Sequence, residues 1–319
     1  MRKVILVLSM VILMIVLFVF YGNFLYTQPG PLKESKNIVI KKGNISSVLT
    51  QLQKEHLLTQ NTSSAFIFRF VVFISKKKGA LRAAEFTFPE HISMRQIIGI
   101  LRYAKPVQHE LTVPEGLTSY QIASLINQAP FLEGKITPPE EGTVLPQTYS
   151  YSWGTSRLQL LKKMQKAMEK TVEQIWQNRN DTGVLTSSKD MVILASIVEK
   201  ETAIKIERPM VARVFINRLK QGMKLQSDAT IIYALTKGKG HLDRALNRQD
   251  WKLINPYNTY WSDFLPPTPI CSPGIAALKA VAHPVEGNLL YFVANGTGGH
   301  SFSSSLVEHN RNIKLRKKN

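Results

Sequence analysis

A single cysteine, Cys271, in 319 residues leaves no possibility of an internal disulfide, so the fold must be held by an apolar core. The surrounding PPTPICSPG supplies no His, Lys or helix start to lower a thiol pKa, which argues against a catalytic cysteine. Acidic residues are scarce. The 22 Asp and Glu stand against 41 Lys and Arg, a formal charge of +19 that calls for anionic partners. The basic residues are scattered, as Lys76–Lys77–Lys78, Lys162–Lys163 and Arg316–Lys317–Lys318, without interleaved aromatics, and no nucleic acid partner is expected. Repeats and low-complexity tracts are missing. His283, His300 and His309 fit no zinc-binding spacing, so neither metal nor cofactor is expected. With 44% hydrophobic and 20% charged residues, the disordered and collagen-like classes are excluded.

What is present begins with an uninterrupted apolar run, Val4 to Tyr21, directly after Arg2 and Lys3. Its length approaches the about 20 residues that span a bilayer as a helix. A cleaved signal peptide has a shorter apolar region ending at small residues, and the exit here, GNFLYTQPG, lacks such a site. An uncleaved anchor is therefore expected over residues 1–27. Arg2 and Lys3 keep the N-terminus cytoplasmic, and everything after Thr27 lies across the membrane, since long domains translocate largely regardless of charge. Anionic lipid head groups become one natural counter-charge for the basic body.

A length of 319 residues suggests about two domains. Pro29, Gly30 and Pro31 mark a linker over 28–36. A small α+β module follows from Asn37 to Lys105. It comprises a strand in NIVIKKG, an amphipathic run carrying Val48, Leu49, Leu52 and Leu57 on one face, a helix over 64–74, and another over 94–101 with Ser93 as N-cap. A larger α+β unit opens near Leu111 with a strand and turn in LTVPEG and a helix over 119–126. A long Pro/Gly-rich loop covers 137–146, and helices are expected over 158–179 and from Asp190 to about Glu201. The end reads as a hairpin: a strand over 289–294, a turn in NGTGG, and a return in HSFS.

The helix from Asp190 carries the chemistry. Leu194, Ile197 and Val198 form an apolar stripe that Glu201 continues at helical spacing, whereas Glu199 is rotated away by roughly 200°. A carboxyl against apolar walls has its charged form disfavoured and holds a proton near neutrality, as a general acid for glycosidic cleavage must. The spacing equally permits Glu201 to end the helix in solvent or to pair with Lys205. Gln226, Ser227 and Asp228 in LQSDAT, and the amides and rings of NPYNTY, are the planar polar and aromatic groups that sugar clefts use. NPYN also fits simple turn formation.

Together these segments resemble the endolytic peptidoglycan transglycosylases of the MltG (YceG-like) family. The resemblance is carried in order by VPEG, LPQTY, ASIVEKET, VFINRLKQGMKLQSDATIIYAL, NPYNTY, LPPTPICSPG, LKAVAHP, LYFVANGTGGHSF and EHN, and covers nearly all the chain after the anchor. It implies a membrane helix over 1–27, a LysM-like α+β subdomain over 37–110 and a mixed α+β catalytic domain over 111–319. The family's catalytic glutamate falls on Glu201. The family usually has Asp at Gln147, Pro at Ala229, and Gly at Phe264 and Thr268.

The implied reaction cleaves peptidoglycan between N-acetylmuramic acid and N-acetylglucosamine without water. Glu201 protonates the glycosidic oxygen and then removes the proton of the muramic C6 hydroxyl as it attacks C1, leaving a 1,6-anhydro end and limiting strand length. Gln226, Asp228, Asn258, Tyr260 and His300 are the residues expected to hold the sugar or orient Glu201. The resemblance also implies nascent glycan strands as substrate, inner (cytoplasmic) membrane localisation and peptidoglycan synthases as neighbours. Two other readings stand beside it: a hydrolytic muramidase pairing Glu201 with Asp228, and a non-catalytic peptidoglycan-binding scaffold.

Overall fold

The computed structural model describes residues 2–316. The side chains of Arg2 and Lys3, on which the expected orientation turns, and the basic residues 317 and 318 lie outside the described residues. The chain divides into two compact units, 1–109 with 151–154, and 110–150 with 155–319.

The first unit begins with α1 (Arg2–Thr27), whose stretch Val4–Thr27 is long and apolar enough to cross a membrane. Leu25 and Tyr26 at its end join the unit's core. Next come β1 (Lys36–Ile40), α2 (Ile45–Lys54), α3 (Thr62–Ile74), β2 (Ala84–Phe88) and α4 (Met94–Tyr103). β1 and β2 pair antiparallel, with Lys36 opposite Phe88 and Ile40 opposite Ala84. The helices cover this ribbon with Leu49, Leu52, Phe68, Ile97 and Leu101. Each helix starts where its sequence offers a cap: Asn44, Asn61 and Ser93 accept from the first-turn amides of α2, α3 and α4.

Two boundaries differ from the sequence pattern. β1 stops at Ile40 because the Gln51 carboxamide takes the Lys41 N–H at 2.8 Å and turns the chain. Leu57 lies beyond α2, which closes at Glu55. His56 adopts a left-handed φ of 57°, and Leu57 swings back into the core with its N–H on Leu52 O at 2.8 Å. At α4, Ser93 and Gln96 cap one another reciprocally. Ser93→Ala is expected to cost about 1 kcal/mol of stability, read as a lower urea midpoint.

The second unit contains α5 (Ser119–Gln128), β4 (Leu132–Glu133), β6 (Thr155–Ser156), α6 (Arg157–Gln177), α7 (Ser188–Glu201), α8 (Arg208–Lys220), α9 (Asp228–Thr236), α10 (Ile275–Ala282), β7 (Tyr291–Ala294), β8 (His300–Ser303) and α11 (Leu306–Arg316). Strands β3 (Gln108–Thr112) and β5 (Thr148–Ser152) pair with each other, and two of the three boundaries between the units along the chain fall within them. β4 and β6 are parallel, while β7 and β8 form the expected antiparallel hairpin. The stretch from 137 to 146 forms no regular element, as its Pro and Gly content predicts.

Helices α7, α8 and α10 pack on one another around Leu194, Ile197, Val211, Phe215 and Leu278. α7 starts two residues earlier than Asp190, because Ser187 and Asp190 form a capping box that places Asp190 at the third helical position. At the other end Thr202 leaves helical geometry and its hydroxyl donates to Glu207 at 3.1 Å. Glu201 is thus the last helical residue, at the rim of a rigid element.

Candidate active site

The face of α7 that carries Leu194, Ile197 and Val198 is completely buried, and Glu201 extends it into a cavity of about 400 Å³. Asp228, Ala229, Tyr233, Lys200 and Gln121 line the same cavity. Burial drives the Glu201 pKa up. The Ser227 hydroxyl donates to Glu201 Oε1 and opposes this, the charge of Asp228 adds to it, and His300 and Arg218 pull it back down. Among the described residues no Lys, Arg or His forms an ion pair with Glu201, so the pairing with Lys205 is absent.

Glu199 takes a different course, as its rotation about the helix requires. Its carboxylate accepts from Arg208 at 2.6 Å and from the Gly274 N–H at 2.9 Å, and both ionic side chains are about 95% covered, at 5% and 4% exposure. Gly274 sits so close to Glu115 that a Cβ would collide with its carboxylate. Glu199 therefore ties α7 to α8 and to the start of α10. Burial raises its pKa, against the lowering by Gly274 and Arg208.

Ser227 owes its position to a loop-to-loop clasp. Thr259 of NPYNTY accepts the Gln226 N–H on its carbonyl at 3.1 Å and the Ser227 N–H on its hydroxyl at 2.9 Å, and shares a hydrogen bond with Thr230 at 2.9 Å. Gln226 is held at a left-handed φ of 55°, a conformation uncommon for a residue with a Cβ. That bend delivers the Ser227 hydroxyl to Glu201. Thr259 has no sequence signature of its own, and nothing in LQSDAT pairs Ser227 with Glu201.

The other expected residues divide by location. Asp228 faces the cavity, and its Oδ1 accepts from Tyr260 Oη at 2.8 Å and Trp251 Nε1 at 3.0 Å. Gln226 is exposed, with its carboxamide oxygen 3.4 Å from Arg218 Nη1. Asn258 is fully buried and its side chain is consumed in its own loop, donating to Trp251 O and Leu253 O and accepting from the Tyr260 N–H. His300 gives its N–H to Glu207 at 2.8 Å, and its Nδ1 lies 2.7 Å from the same carboxylate. Burial works to raise the Glu207 pKa, but the donations from His300 and Thr202 outweigh it and hold the carboxyl below its ordinary range.

Sequence reasoning passed over a second cavity, of about 830 Å³, that shares Tyr233 with the first. Glu141 lines it, accepting from the Ser119 N–H at 2.8 Å and Tyr233 Oη at 3.1 Å, with burial raising its pKa. Gly142 beside it has φ +75°, where a Cβ would overlap Pro269 at 2.6 Å. Among the described residues no three His, Cys, Asp or Glu side chains cluster as a metal site. Cys271 is buried against Ser196 O and its thiol pKa is pushed far up by that burial.

The sequence pattern of the YceG-like family matches residues 38–315.

The chain belongs to the YceG-like family.

Among its relatives, an endolytic murein transglycosylase of Bacillus subtilis is 36% identical over 172 residues, which are 54% of this chain and 46% of that protein. An endolytic murein transglycosylase of Streptococcus pneumoniae is 32% identical over 175 residues, 54% of this chain and 31% of that one. The chain thus spans less than half the length of these relatives. The crystal structure of a YceG-like protein from Listeria monocytogenes superposes with a TM-score of 0.55 at 28% identity, covering 87% of this chain and 98% of that one.

The four positions at which the resemblance implies other residues are placed as follows. Ala229 lines the Glu201 cavity, and the Thr268 hydroxyl bonds Tyr257 Oη at 2.8 Å beside the larger cavity. Phe264 is 76% exposed, and Gln147 lies exposed just before β5.

Proposed function

We propose that this chain is an endolytic murein transglycosylase that cleaves the N-acetylmuramic acid to N-acetylglucosamine linkage of peptidoglycan strands and leaves 1,6-anhydro ends. The observation that carries the reading is a carboxyl at a helix end whose pKa is raised by desolvation, without an ion-pair partner among the described residues, and open to a cavity. The other carboxyls nearby have structural duties: Glu199 with Arg208, Glu207 with His300, and Asp228 with Tyr260 and Trp251. The raised pKa of Glu201, at the end of α7 and facing the cavity, suits chemistry that needs no second acid.

In this reading Glu201 gives its proton to the glycosidic oxygen as the bond to the muramic C1 breaks, and the N-acetylglucosamine end departs as an alcohol. The carboxylate then accepts the proton of the C6 hydroxyl while that oxygen bonds C1. Atoms balance without water, and Glu201 returns protonated. The tethered hydroxyl gains the advantage of an intramolecular nucleophile. Ser227 positions the carboxyl, and Asp228 and Tyr260 border the cavity where the sugar would lie. The meeting of two cavities at Tyr233 supports binding of several sugars, as a cut inside a strand requires. We assign Asn258 to the loop rather than to sugar, because its hydrogen-bonding groups are already satisfied. His300 acts through its bond to Glu207.

The strand–helix–helix–strand order of β1, α2, α3 and β2 supports a LysM-like role in holding glycan. One helix among the described residues is apolar and long enough to span, which supports anchoring in the cytoplasmic membrane with the body on the outer side, near the synthases that produce nascent strands and whose products it would shorten.

Mass spectrometry of peptidoglycan digested by the full chain tests the reaction. Anhydro-muropeptides, one water lighter than reducing ends, are expected. Reducing ends alone would reject the mechanism in favour of a hydrolase using Asp228, and an absence of fragments would favour a binding scaffold.

Ser227→Ala tests the positioning role. The Ser227 hydrogen bond lowers the Glu201 pKa, so its loss should raise that pKa further and move the alkaline limb of the kcat profile to higher pH. A fall of roughly tenfold in kcat is expected from one lost hydrogen bond to a charged group.

A further inference from the structure

The first unit holds a feature that glycan cleavage does not use. Arg102, on α4, is 8% exposed and lines a cavity of about 540 Å³. It forms no ion pair among the described residues, and its buried Nε and Nη2 have no hydrogen-bond partner. A buried cation without a counter-charge is strongly unfavourable, which marks a place where an anion belongs. The same cavity is lined by Ile45 and Ser46 at the start of α2, a helix end that favours anions because first-turn N–H groups lack intrahelical partners, and by Lys76.

A second, apolar groove of about 500 Å³ shares Ile45, Ser46 and Phe73 with this cavity and continues along Phe66, Arg69 and Phe70 of α3. Phe66, Phe70, Phe73 and Ile74 are all exposed, at 53%, 44%, 72% and 60%. Their spacing puts them on one helical face, a large apolar patch for a soluble surface. Phe66 also meets Phe18 of α1 edge-on at 6.2 Å, and Phe18 lies within the apolar stretch able to cross a membrane. The patch is therefore continuous with the span, and the Lys76–Lys77–Lys78 turn follows directly after α3.

We propose that this joined groove and cavity bind one anionic phospholipid, with its phosphate against Arg102, Lys76 and the start of α2 and an acyl chain along Phe66, Phe70 and Phe73. The site would dock the first unit on the bilayer surface and fix its distance from the membrane. This inference rests on the reading of α1 as a membrane span.

The full chain, purified in a non-ionic detergent and given dioleoyl phosphatidylglycerol, dioleoyl phosphatidylcholine or inorganic phosphate, is examined by native mass spectrometry for retained molecules. One phosphatidylglycerol per chain is expected, with phosphatidylcholine bound more weakly and phosphate alone weaker still. Arg102→Met, which keeps the side chain's bulk, should fold and lose phosphatidylglycerol affinity by at least roughly tenfold. Phe70→Ser should weaken the lipid but not inorganic phosphate. Equal retention by wild type and Arg102→Met, retention by neither, or phosphate bound as tightly as lipid would overturn the proposal. Flotation of the wild-type chain with vesicles of neutral lipid tests the span separately, since α1 alone suffices for it.

Discussion

Glu201→Gln should reduce glycan cleavage by roughly 10³-fold, the size expected when the one general acid and base is removed. The amide preserves shape and can still accept the Ser227 hydroxyl, but it has no proton to give at the acid step. Binding of glycan fragments should change little, so the loss should appear in kcat rather than in KM. The same substitution should stabilise the protein at neutral and alkaline pH. Folding raises the Glu201 pKa above its ordinary 4.5 through burial. Its contribution to stability is therefore fully present below the unfolded value and is lost as pH rises through the folded one. A glutamine carries no such loss, so the variant should melt higher than wild type at pH 8, with the difference shrinking towards pH 4. A gain of stability with loss of turnover is the pattern of a group held in place for chemistry.

Arg208→Met should destabilise the fold by about 3 kcal/mol, because breaking a buried ion pair strands the remaining charge. Glu199 would keep the Gly274 N–H as its remaining close donor, with the Glu115 carboxylate nearby also deprived of Arg208. Its pKa, already raised by burial, would climb further without the Arg208 charge. The destabilisation should therefore be largest at high pH and should diminish as pH falls and Glu199 takes a proton. Adding Glu199→Gln should restore much of the loss, since a neutral amide tolerates the site better than an unpaired carboxylate. Urea unfolding of both variants at pH 5 and pH 8 checks the claim. If Arg208→Met were as stable as wild type at pH 8, the structural role given to this pair would be wrong.

The central helix was legible because its signals are local. Leu194, Ile197, Val198 and Glu201 share a helical face in the sequence as they do in the structure. The rotation that separates Glu199 from Glu201 follows from helix geometry alone. Ser93 and the hairpin around NGTGG were readable for the same reason. α8 and α10 escaped notice because they are buried around most of their circumference and show no alternation of apolar and polar faces. α11 escaped for the opposite reason: none of its residues is buried. β2 was hidden because its pairing with β1 joins positions about fifty residues apart.

In the site, residue types were legible and pairings were not. LQSDAT and NPYNTY each look like turn sequences, and nothing in either predicts that Thr259 clasps Gln226 and Ser227. Asn258 and His300 have the chemistry of sugar ligands, yet the first is used within its loop and the second on Glu207. Arg102 gives no sign in sequence that its Nε and Nη2 will be buried without a hydrogen-bond partner among the described residues.

The account turns on a proton kept by Glu201 where an ordinary glutamate would have lost it. Infrared difference spectroscopy between the wild-type chain and Glu201→Gln, titrated from pH 3 to pH 9, isolates that carboxyl from Glu199 and Glu141. The account predicts that the protonated carboxyl band assigned to Glu201 persists well above the ordinary glutamate range and disappears only at higher pH. A band that vanishes with an ordinary glutamate midpoint would contradict it.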